Sequence, residues 1–159
     1  MLSIRIPPAA RFPRRRTLAL LASLCAAWLD PVNPAFAGET PPFRVIVHPS
    51  NPLEAAERSF VADAFLKKVT RWNGSEPIRA VDLRPDNAAR RRFSEEVLKR
   101  SVGAVRSFWQ QRIFSGRDVP PPELDSDDSV VAFVAKYPGA IGYVAGATKL
   151  TGVRALVIH

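Results

Sequence analysis

"AVDLRPDNAARRRF", residues 80 to 93, decides the fold. Val81 and Leu83 alternate with Asp82 in the manner of a strand, "RPDN" interrupts that pattern, and from Ala89 the apolar residues recur every three or four positions through Phe93, Val97 and Leu98. That change of period from two to 3.6 predicts a strand over 77 to 83, a turn, and a helix from about 88 to 100. A strand that feeds a helix through a short turn is the building unit of α/β proteins, and the same turn is where many of them hold an anion.

The flanking sequence repeats the unit. Upstream, "FRVIVH" (43 to 48) reads as a strand ended by "PSNP", and Leu53, Ala56, Phe60, Val61, Ala64 and Phe65 predict an amphipathic helix over 53 to 68 capped by Ser50 or Asn51. Asn73-Gly74 marks a turn before the strand at 77. Downstream, Ser101 caps a helix whose core face carries Val105, Phe108, Trp109 and Ile113, and "SGRDVPPPELDSDD" (115 to 128) is a loop. Ser126 or Asp125 caps a helix over 127 to 136, with Asp127 and Asp128 at its positive end and Lys136 at its negative end. Pro138-Gly139 stops it, and strands follow at 140 to 144 and 153 to 158. The order β-α-β-α-α-α-β-β predicts an α/β domain with a mixed sheet flanked by helices and a right-handed crossover joining the first two strands.

The first 37 residues read as a secretory signal. Arg5, Arg11 and Arg14 to Arg16 form a basic region, "TLALLASLCAAWL" (17 to 29) an apolar one, and "AFA" (35 to 37) a small-x-small cleavage site. Thirteen apolar residues ended by Asp30 and Pro31 fall short of the ~20 that span a bilayer. The expected product is periplasmic or secreted, exported by the general or the twin-arginine route, with no stable membrane insertion after cleavage. It begins at Gly38, so residues 38 to 159 form the domain. Removing five of the 23 basic and one of the 15 acidic residues lowers the net charge from +8 to +4, which removes the case for a nucleic-acid partner. Cys25, the only cysteine, leaves with the signal, so stability rests on a core without disulfides.

Charges on the 88 to 100 helix are spaced for i,i+4 pairing: Arg91 with Glu95, Arg92 with Glu96, Glu95 with Lys99, Glu96 with Arg100. That pattern predicts a self-neutralised solvated face. No nucleophile elbow, Walker loop or metal-spaced cluster is present, and "ELDSDD" lacks the spacing of a calcium loop. The expectation is a protein that is not an enzyme and uses no metal or cofactor, with His48 structural. If the first two strands are parallel, two helix N-termini, after "HPSN" and "RPDN", offer unpaired N–H groups to one space, a physical basis for anion capture. Ser50, Asn51, Arg84, Asn87, Ala88 and Ala89 are then the candidate ligand-binding residues.

"FLKKVTRW" (65 to 72), "PIRAVDL" (77 to 83) and "YPGAIGYV" (137 to 144) together resemble the phosphate-binding components of ABC transporters, in the type 2 periplasmic-binding-protein superfamily. Members carry a similar FLGKxxxW segment, a strand leading to an Arg-Asp-Gly-Ser-Gly-Thr turn, and a later PGAIGYV strand entry. The resemblance implies half of a two-lobed clamp, phosphate or another oxyanion as ligand, and an ABC permease or other envelope protein as partner. It places the Ser-Gly-Thr positions on Asn87, Ala88 and Ala89, where both hydroxyls are missing. Two functions stay open: an exported solute-binding protein with weak oxyanion binding, and an envelope protein-interaction module derived from that fold.

Overall fold

Phe43, Val45, Ile46 and Val47 are buried on both sides of one strand, so that strand sits in the middle of a sheet covered on both faces. The computed structural model describes residues 40 to 73 and 76 to 159; the signal sequence and Gly74 of the predicted turn lie outside them. β1 (Phe43–Val47) pairs antiparallel with β6 (Ala140–Ala145) on one side and with β7 (Arg154–Ile158) on the other. β3 (Arg79–Ala80) runs parallel to β6, and β2 (Ala55–Ala56) parallel to β7, giving the order β2-β7-β1-β6-β3. A second, two-stranded parallel ladder joins β4 (Asp82–Leu83) to β5 (Glu123–Leu124). Among the described residues there are four helices: α1 (Arg58–Phe65), α2 (Ala88–Glu96), α3 (Val102–Phe114) and α4 (Asp127–Lys136). The mixed α/β sheet flanked by helices is the expected class.

Several boundaries differ from expectation for physical reasons. The first helix begins at Arg58, not Leu53, because the preceding residues join the sheet edge: Val157 N–H donates to Glu54 O at 3.1 Å and His159 N–H to Ala56 O at 3.3 Å. Neither Ser50 nor Asn51 caps it. Asn51 Oδ1 instead accepts from Leu53 N–H at 2.9 Å in a local turn. The strand expected over 77 to 83 is split. Val81 donates to Ile141 O at 3.0 Å while Asp82 donates to Pro122 O at 2.9 Å, so the chain leaves one sheet and enters the other within one residue.

The predicted parallel crossover between the first two strands is overturned. β6 lies between β1 and β3, antiparallel to the first and parallel to the second, so β1 and β3 run in opposite directions. The helix bearing the arginine run ends at Glu96, one turn earlier than predicted, and none of the four expected i,i+4 pairs is among the ion pairs of the described residues. In the core, Phe93 of α2 stacks on Tyr143 of β6 with ring centroids 3.9 Å apart, and Phe65 of α1 packs on both rings. α4 approaches β6 so closely at Gly142 that a Cβ there would meet Val130 Cγ1 at 2.6 Å, which explains the glycine inside that strand. Gly139, at φ +75°, supplies the left-handed turn that admits the chain to β6.

Candidate oxyanion turn

The turn between β4 and α2 is built from Arg84, Pro85, Asp86 and Asn87. Asn87 is the N-cap of α2, with extended backbone and a side-chain Oδ1 that accepts from Ala89 N–H at 2.7 Å and Arg90 N–H at 3.4 Å. These are the N–H groups that a helix start would otherwise offer to an anion, so the protein's own carboxamide stands where a phosphate oxygen would go. Ala88 is exposed, whereas the Ala89 side chain packs into the core and contributes only its backbone to the turn.

Acidic groups reinforce this closure. Arg84, Asp86, Asn87 and Asp125 line an open depression of about 370 Å³. Arg84 Nη1 donates to Asp125 Oδ1 at 3.1 Å, and Arg84 Nε lies 3.9 Å from Asp86 Oδ1. The hydrogen bond and charge of Asp125, helped by Asp86, raise the Arg84 pKa above its ordinary value. Two carboxylates thus flank Arg84, and Arg91 Nη1 donates to Asp86 O at 2.8 Å, so both guanidinium groups at the turn already have partners before an anion arrives.

Ser50 and Asn51 are elsewhere. With β1 and β3 opposed, they sit at the other end of the sheet, where they line a separate hollow of about 210 Å³ with Pro52, Trp72, Asn73, Glu76 and Gly139. His48 Nδ1 and Ser50 Oγ are 2.7 Å apart there. The two helix starts therefore do not converge on one space. The acidic stretch after the prolines is also accounted for: Ser126 caps α4 by accepting from Ser129 N–H, and Asp127 Oδ2 accepts from Ala145 N–H at 2.8 Å and Thr148 Oγ1 at 2.6 Å.

Beneath the turn lies a cluster that sequence reasoning missed. Asp82, Arg90 and Tyr143 are all buried; Arg90 Nη1 donates to Asp82 Oδ2, and the Tyr143 hydroxyl donates to Asp82 Oδ1. Burial pushes the Tyr143 hydroxyl up to about 12, against the lowering effect of Arg90. The available signal was Asp82 itself, placed between Val81 and Leu83 with an arginine in the next helix's first turn: a buried carboxylate demands a cation.

No family model matches the sequence, and no curated protein does. Solved structures do match. A structure from Clostridium perfringens described as a phosphate ABC transporter substrate-binding protein with bound phosphate aligns at TM-score 0.58 and 19% identity, over 73% of this chain and 44% of that one. An ABC-type phosphate transport receptor from Vibrio cholerae aligns at TM-score 0.57 and 15% identity, over 73% and 45%. PstS from Borrelia burgdorferi aligns at 0.54 and 10%, over 74% and 47%. The chain spans less than half the length of these proteins, a share that fits one lobe. It has the periplasmic-binding-protein-like α/β fold of phosphate ABC transporter substrate-binding proteins.

Proposed function

We infer that this is an exported protein that uses the solute-binding fold of phosphate transporters but captures oxyanions only weakly. The observation that carries this reading is the Asn87 carboxamide on the N–H groups of Ala89 and Arg90. An exposed helix start offers an anion roughly 0.3 to 1 kcal/mol through its dipole, and here that contribution is already taken by the cap. With Asp86 and Asp125 beside it, phosphate is expected to bind at about millimolar or weaker, near 4 kcal/mol of binding free energy.

Calorimetry with inorganic phosphate on the purified protein and on Asn87→Gly tests this. Glycine at an N-cap costs only a few tenths of a kcal/mol, so the variant frees both N–H groups with the fold intact. A gain in affinity is expected. Micromolar binding by the parent overturns the reading, and an unchanged affinity in the variant removes the turn as the oxyanion site.

A second reading, an envelope protein-interaction module, is favoured by one surface feature. Phe114 is 91% exposed, with Val119 at 61% and Ile113 at 50% close by in sequence. Exposed apolar groups of this size mark contact surfaces. Crosslinking to an ABC permease or other envelope protein that disappears in Phe114→Ser supports this reading, and crosslinking that survives the change excludes this surface.

A further inference from the structure

Beside the turn, and distinct from it, α3 opens one whole face onto a trough. Val102, Gly103, Arg106, Trp109, Gln110 and Ile113 recur at helical spacing along one wall; Pro85, Pro120 and Glu123 form the other, and Arg90 lies at its buried side. The trough encloses about 520 Å³, within the range of roughly 300 to 1,000 Å³ typical of small-ligand sites.

Its charges are arranged unusually. Arg90 is neutralised by Asp82, yet its Nε is buried without a hydrogen-bond partner, and only its Nη1 is engaged. Arg106 and Glu123 line the same trough, and neither forms an ion pair with the other or with any described residue. Between these opposite charges the walls are apolar: Trp109, Ile113 and Val102 face two prolines, which have no N–H to donate.

We propose that this trough binds a zwitterionic apolar compound of dipeptide size, with its carboxylate toward Arg106, its ammonium toward Glu123, and its side chains against Trp109, Ile113 and Pro120. A lone anion satisfies Arg106 but meets Glu123, and a lone cation the reverse. A molecule carrying both charges on an apolar body satisfies all three features at once. The trough shares Pro85 with the oxyanion turn, but Arg84, Asp86 and Asn87 do not line it.

The test is equilibrium binding of the dipeptide Leu-Phe to the purified protein by calorimetry, alongside its N-acetylated form and inorganic phosphate. Saturable binding at about 0.1 to 1 mM is expected, as for a small ligand in an open site. Glu123→Gln and Arg106→Gln, both exposed positions, should each weaken it by about threefold, the scale of an exposed ion pair. N-acetylation should weaken binding to the parent by a similar factor and leave binding to Glu123→Gln unchanged, because the group it removes has already lost its partner. Phosphate should not compete. No saturable binding of Leu-Phe up to about 10 mM, equal losses from N-acetylation in parent and Glu123→Gln, or displacement by phosphate would each overturn the assignment.

Discussion

Tyr143 concentrates the chemistry of the core in one hydroxyl. Its ring stacks on Phe93, its oxygen donates to Asp82, and its group ionises near pH 10 in the unfolded chain but near about 12 in the folded one. The folded state thus holds this proton more tightly, so the stabilisation is complete below pH 10 and is lost as pH rises toward 12. The loss amounts to about 2 to 3 kcal/mol at most. Urea midpoints measured at about pH 9 and 11.5 should fall further for the parent than for Tyr143→Phe, which has nothing to ionise. Parallel declines in the two proteins would show that Tyr143 is not held in this way. Tyr143 was legible in advance as a strand residue of "AIGYV", but its bond to Asp82 was not. That contact joins positions 61 apart, and no local pattern encodes it.

Among the elements, helix existence was legible and helix surroundings were less so. Ser101 caps α3 by accepting from Ala104 N–H at 3.2 Å, as its position before an apolar run implied, and Val105 and Trp109 enter the core. Ile113 was expected beside them and instead stands half exposed, while Phe108 is only partly buried and lies under the guanidinium groups of Arg100 and Arg112. Periodicity identifies a face but not whether another element covers it; α3 packs on α2, and Ile113 near its C-terminal end stays half exposed. The two sites therefore predict unequal costs: Trp109→Ala should lose about 3 to 5 kcal/mol, and Ile113→Ala about 0.5 kcal/mol or less. Chemical denaturation of both variants decides the point, and equal losses would place Ile113 in the core after all. The candidate site was half legible for a related reason. Asn87 was recognised at the right position, but an asparagine there serves a helix as a cap as readily as it serves an anion, and only the geometry distinguishes the two.

For the molecule as a whole, the class of fold followed from the alternation of periods along the chain, whereas strand direction did not. Successive strands separated by a helix usually pair in parallel; here β6, far away in sequence, inserts between β1 and β3 and reverses the relation. The opposed strands then carried Ser50 and Asn51 to the far end from Asn87. Export belongs to this scale too. The basic and apolar regions and the "AFA" site predict a secreted product whose first residue is Gly38, and N-terminal sequencing of the protein recovered outside the cytoplasm checks it. Full-length chain confined to the cytosol would contradict the expectation. The central place of β1 has one more consequence. Both of its neighbours, β6 and β7, come from the last twenty residues, so a growing chain that has reached only Lys136 contains no partner for its first strand. Assembly of the five-stranded sheet must wait until residues 140 to 158 have been made, and the loop to be closed spans about a hundred residues, which makes folding slow. Until then β1 has neither neighbour and the sheet cannot form, the condition in which a polypeptide can still be threaded through a membrane pore.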